Sequence, residues 1–379
     1  MKKYINLFIL FIFISVFVIF GLHENSENYK KLKEIKYNIV SHPELLPKKE
    51  LARISSFGFA NVRADFYRLE AIQYIGGNAI SAEYKKYLYS MLDIITELNP
   101  YFEHPYVIGE LLLPEYNERY ENRTKNEQNN NIKQAELIAK KGIENFCDKS
   151  KVEAIKNEFD LKKLWTEDKY KNPCKSSIIP YYLAFIYYFY NHDAISRAYY
   201  YKVTSANEDS LEGAKIMAAI MQGKGGDREK SIIMFLNMAK SVENNELCST
   251  YSTELQKILL GVFNGNFILT GDFMKQVENK RKMIENVLDK GNKSDALDDT
   301  KCINYINKSV REINLYYAET ANKKYFKDTG KNAKNVKELY DKKYIDYFPK
   351  DFQKVGSDSE IIYEYNNETG NFDYRVGNY

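Results

Sequence analysis

Hydrophobic positions along this chain fall into two patterns. The first is one uncharged run from Tyr4 to Leu22, YINLFILFIFISVFVIFGL, which is 19 residues long and close to the roughly 20 needed to cross a bilayer core. The second begins near residue 51 and continues to about residue 290 as a succession of helix-length amphipathic segments. In these, apolar or small residues recur four, then three, positions apart: Leu88, Leu92 and Ile95 before Pro100; Ala135, Ala139 and Gly142 before Cys147; Ser231, Phe235 and Met238 before Val242. Each triplet stripes one helix face. Each is preceded by a segment with a small-residue contact point, Ala71 with Tyr74, Gly109 with Leu112, Ala184 with Tyr187 and Ala219 with Gln222, one turn apart on one face. Turn formers separate the paired segments at Gly76-Gly77, Asn129-Asn130-Asn131, Asn191-His192-Asp193 and Gly223 to Asp227, so the pattern predicts helix, turn, helix, repeated. Leu255 to Phe263 and Phe273 to Val287 extend it to four or five pairs.

The apolar run ends in Gly21-Leu22-His23-Glu24 without a small-x-small cleavage site, which favours an uncleaved anchor over a signal peptide. Lys2 and Lys3 before it are expected to stay cytoplasmic, leaving the bulk of the chain outside. The expected organisation is an anchor over 1–22, a tether over 23–50, helical repeats over 51–290 and a C-terminal module over 291–379. In that module a helix around Ile303 to Tyr325 precedes an alternating run at Ile361-Ile362, a turn at Glu368-Thr369-Gly370 and a return from Asn371 to Val376, which predicts a β-hairpin.

The repeat segment resembles the tetratricopeptide (TPR) family of helical hairpins on Leu183-Ala184 with Tyr187, then Ala198 with Tyr201; on Ala219 with Ser231, Phe235 and Met238; and on Leu88, Leu92 and Ile95 closing on Pro100. No unit keeps that family's Trp, and Ser231 and Gly142 stand where it has alanines. The segment SSFGFANVRADFYRLEAIQYIGG with LDIITELNPYF is similar to the opening of envelope-associated TPR-like proteins of bacteria. The order Gly330, Val336, Glu338, Leu339, Tyr344-Ile345, Pro349-Lys350-Asp351, Tyr363, Tyr365, Gly370 is similar to the C-terminal segment of pseudopilin-like proteins, without the pilin N-terminal signature. The resemblance implies an all-α, right-handed α-solenoid of TPR-like hairpins with a small α+β C-terminal module.

Charge adds little, because 55 Lys and Arg nearly cancel 52 Asp and Glu, and without a clustered basic surface nucleic acid is not an expected partner. Cys147, Cys174, Cys248 and Cys302 form no metal or redox motif. They either make one or two disulfides in an oxidising compartment, with three possible full pairings, or serve, as is commoner, as small buried hydrophobes. None of the nucleotide-binding, hydrolase or zinc-protease motifs occurs, and His23, His42, His104 and His192 are scattered. Gly223-Lys224-Gly225-Gly226-Asp227 has the composition of a phosphate cradle but falls where a hairpin needs its turn. Glu110, Glu115 and Glu118 are expected to be solvated. No enzyme activity and no cofactor are therefore expected.

The candidate working surface is the concave face that the repeat resemblance implies. With Leu183, Ala184 and Tyr187 packed, Tyr181, Phe185 and Tyr188 would face it; by the same carry-over so would Arg68, Ile72 and Ile75 in the first hairpin and Tyr106 and Glu110 in the second. Tyrosine couples apolar area to a polar tip, which suits an interface. The expectation is a non-enzymatic, single-pass, extracytoplasmic scaffold or assembly factor that binds protein partners, the alternative being an accessory or structural subunit of a pilus or secretion apparatus.

Overall fold

The computed structural model describes residues 43–119, 121–243, 245–288, 296–353 and 360–377, with Ser15, Val16 and Ile19. Most of the expected anchor and most of the tether lie outside these; among the described residues no helix is long and apolar enough to cross a membrane. The described chain is mostly helical, with one two-stranded sheet at its C-terminal end. It divides into two compact units, residues 1–138 and 139–379.

The first unit contains α1 (Lys49–Ile54), α2 (Ala60–Gly77), α3 (Lys85–Leu98), α4 (Glu103–Leu112) and the start of α5 (Lys125–Phe146), in which the division falls. α2 buries Ala64, Tyr67, Ala71 and Tyr74, spaced three, four, three, so one stripe packs on α3. α3 answers with Leu88, Met91, Leu92 and Ile95. The close contact expected at Gly109 is present: a Cβ there would lie 2.7 Å from Ile138 Cγ2 and 3.1 Å from Leu92 Cδ1. A buried ion pair, Lys85 to Glu121 at 2.8 Å, extended by Arg123 to Glu121 at 3.1 Å, fastens the loop before α5 to the start of α3.

The second unit continues through α6 (Lys149–Ile155), α7 (Leu161–Thr166), α8 (Ile178–Phe189), α9 (Ala194–Ser205), α10 (Glu212–Lys224), α11 (Arg228–Lys240), α12 (Glu246–Phe263), α13 (Gly271–Leu288), α14 (Ala296–Thr329), α15 (Val336–Asp341), β1 (Glu360–Asn366) and β2 (Asn371–Gly377). From α8 to α12 each helix packs on the next in sequence. The turns between them are written in the residues. His192 takes φ +53° after α8, and Asp193 caps α9 by accepting from the Ile195 and Ser196 N–H groups at 3.1 and 3.0 Å, which satisfies donors at a helix start that have no partner inside the helix. Gly226 at φ +91° and Asp227, which accepts from Lys230 N–H at 3.3 Å, close α10 and open α11 in the same way. The expected hairpin turn is thus present at residues 225–227, with Gly223 and Lys224 in the last turn of α10.

The four-three stripes are core: Ala219, Ser231 and Phe235 are fully buried and Met238 nearly so. Ser231 donates its hydroxyl to the Ala219 carbonyl across the helix pair at 2.7 Å. All four cysteines are paired, Cys147 with Cys174 and Cys248 with Cys302, so the expectation of four buried thiols gives way to two disulfides. The long α14 lies on α11, and Arg228 of α11 joins Glu312 at 2.8 Å and Glu319 at 3.0 Å, while its Nη2 donates to the Phe372 carbonyl of β2. The hairpin runs in the register Glu360 to Gly377 through Asn366 to Asn371, with Tyr363 and Phe372 buried against the helices. Arg311 of α14 meets Asp351 at 2.6 and 2.9 Å, and Tyr363 donates to the same carboxylate at 2.9 Å, fixing the segment that leads into the hairpin.

Candidate partner-binding surfaces

On α8 the packed residues are those the repeat pattern requires, since Leu183 and Ala184 are fully buried and Tyr187 is 8% exposed. Their burial turns Tyr181, Phe185 and Tyr188 outward, where all three are half-buried. Tyr181 packs edge-on against Tyr201 with centroids 5.7 Å apart, and the Arg197 guanidinium sits 4.9 Å from the Tyr188 ring. These two rings are held from below. Phe185 and Tyr188 both meet Phe189, with centroids 4.2 and 4.4 Å away, and Phe189 is 49% exposed. The most accessible ring of this aromatic surface is therefore Phe189. A step of four from Phe185 identifies Phe189 in the sequence; the four-then-three step leads to Tyr188.

In the first unit the candidates separate. Ile72 is exposed and Ile75 half-buried. Arg68 is half-buried with its guanidinium 5.1 Å from the Phe102 ring. Tyr106 and Glu110 do not line a surface. Tyr106 is fully buried and donates its hydroxyl to the Pro100 carbonyl at 2.9 Å. Glu110, expected among solvated residues or on a groove wall, is buried with neither carboxylate oxygen hydrogen-bonded. Burial, with Glu103 adding a like charge, holds its pKa well above the usual carboxylate range, because an unpaired charge in apolar surroundings is costlier than a neutral acid. The helical period places it inward, and residue type alone points the other way.

Two features of the second unit carry further chemistry. Lys202 of α9 is buried, donates to the Lys156 and Glu158 carbonyls at 2.8 and 3.0 Å, and stands 4.1 Å from the Phe159 ring. Burial, followed by the nearby Lys230 charge, pushes its pKa down to about 7. A cleft of about 360 Å³ includes Trp165, Lys215, Glu243, Asp298, Lys301 and Tyr305 in its lining, with two ammonium groups balanced by two carboxylates. Among the described residues no group of three or more His, Cys, Asp or Glu side chains is placed to hold a metal ion. Set beside known protein families, curated proteins and solved structures, the chain matches none of them.

Proposed function

We propose that the chain is a non-enzymatic, membrane-anchored scaffold or assembly factor on the extracytoplasmic side, whose helical hairpins form a right-handed, TPR-like solenoid and hold protein partners. The observation that carries this reading is the aromatic surface of α8, where Phe189 is exposed and Tyr181, Phe185 and Tyr188 are half-buried while the opposite face of the same helix is fully packed. Accessible aromatic anchors on a rigid helix are the residues interfaces draw most energy from. Two disulfides, Cys147 with Cys174 and Cys248 with Cys302, support an oxidising compartment. The reading is tested with a photo-crosslinking residue at position 189 in native membranes, against a control at Glu153, whose side chain is 70% exposed. A discrete adduct from 189 that is absent from 153 is expected. Phe185→Ala should weaken its capture by about 2 kcal/mol with the melting temperature unchanged. The same adducts from both positions would sink the proposal. The second reading, an accessory or structural subunit of a pilus or secretion apparatus, draws support from the hairpin at residues 360–377, and co-purification with filaments would favour it.

A further inference from the structure

The first unit carries a surface that the aromatic face of α8 does not explain. α2 is apolar on two opposite sides. One side packs on α3 through Ala64, Tyr67, Ala71 and Tyr74. The other presents Val62, Phe66 and Leu69, which are 52%, 63% and 53% exposed, at steps of four and three and so in one stripe. Phe59, one step of three before Val62, continues the stripe at 70% exposed; Phe57 at 87% and Ile54 at 74% lie just ahead. A tight turn presents them. Phe57 holds φ +50° and Gly58 φ +89°, a left-handed conformation that a bulky residue adopts at a cost. The turn is fixed by Phe59 N–H donating to the Ser56 carbonyl at 2.8 Å, Ser56 Oγ donating to the Arg53 carbonyl at 2.6 Å, and Arg63 donating to Ser55 Oγ at 2.6 Å. The result is a firmly held apolar tip continuous with an apolar helix stripe, well beyond the scattered single hydrophobics that need no explanation.

We infer that this face of α1 and α2 seats in the headgroup–acyl boundary of the membrane that anchors the chain. The inference rests on the anchored reading above. Side chains this exposed project outward, and a deformable lipid surface accepts a projecting apolar tip where a protein partner would need a matching groove. Chain length selects the same occupant. Residues 23–42 separate the end of the apolar run from Pro43, and 20 residues reach at most about 70 Å. The bilayer is thus the apolar phase the chain itself keeps nearest to the tip. Seated this way, the first hairpin lies flat on the membrane and the unit has two attachments to it, anchor and face.

The test uses the full chain in lipid vesicles. All four native cysteines are disulfide-bonded, so an added cysteine is labelled selectively. Phe66→Cys, at an exposed position, carries an environment-sensitive fluorophore, and Lys240→Cys, also exposed, is the control. The expected result is blue-shifted emission at 66 that spin-labelled lipids quench, with neither effect at 240. Emission at 66 that lipid quenchers leave unchanged overturns the inference. If that emission is blue-shifted and lost on dilution, a second copy covers the face; if it is independent of dilution, a segment of the same chain does. Carbonate washing of the same vesicles separates the two readings. Release of the chain defeats the anchored reading, whereas retention with an unquenched label defeats only this one.

Discussion

Glu110 shows how one side chain departs from what its type suggests. A carboxyl with no hydrogen-bond partner in a buried site keeps its proton more readily folded than unfolded, so its pKa is raised on folding. The stability it contributes is fully present below the unfolded carboxylate range and is lost as pH rises through the folded value. Glu110→Leu removes both the unpartnered acid and the pH term. It should stabilise the first unit at pH 7 by about 1–3 kcal/mol, with a gain that shrinks as pH falls toward 5. Hydrogen exchange over residues 60–113 at the two pH values measures this in the first unit alone. A loss of protection at pH 7 would show that Glu110 has a partner in solution. Tyr106, a neighbour in sequence, departs from the groove for the same reason: periodicity identifies a face, and which face is buried depends on packing that a single helix does not encode.

At the scale of elements the sequence is more legible, although the turn expected at Asn129-Asn130-Asn131 falls inside the continuous helix α5 (Lys125–Phe146). The stripes Leu88–Leu92–Ile95 and Ser231–Phe235–Met238 and the turns at 191–193 and 225–227 fall where spacing and capping chemistry put them, because each depends on residues within one helical turn. The C-terminal hairpin is equally readable from its alternation, turn and return. The ion cluster around Arg228 is not, since Glu312 lies on α14, far along the chain. That cluster gives Gly223, in the last turn of α10, a requirement of its own. A Cβ at 223 would fall on the Glu312 carboxylate and 2.8 Å from Arg228 Nη1, groups buried on every side. Gly223→Ala should therefore cost about 1–3 kcal/mol by overpacking, and more if the ion pair separates and leaves a buried charge uncompensated. Gly213, which also lies in α10 but where an added Cβ would meet nothing within 4 Å, supplies the control. Gly213→Ala should be neutral or stabilising by up to about 1 kcal/mol. Equal melting temperatures for the two variants would refute the requirement.

For the whole molecule, the disulfides decide how stability is distributed. Cysteine spacing alone leaves three pairings open; helix packing selects one by bringing distant segments together. Cys147–Cys174 closes a separation of 27 residues and Cys248–Cys302 one of 54. Chain entropy in the unfolded state assigns them about 3.5 and about 4 kcal/mol respectively, an upper range that residual unfolded structure reduces. Both lie within residues 139–379, so their effect belongs to the second unit. Trp165, the one tryptophan of the chain, lies in that unit and reports its unfolding. Reduction should lower the denaturation midpoint seen by Trp165 fluorescence, each bridge contributing about 2–4 kcal/mol, while hydrogen-exchange protection over residues 60–113 stays unchanged. Replacing one pair at a time by serine divides the loss between the bridges, and peptide mapping without reductant checks the pairing directly. A midpoint unmoved by reductant would show that these links do not restrain the unfolded chain, and an oxidising compartment would lose its support from the cysteines.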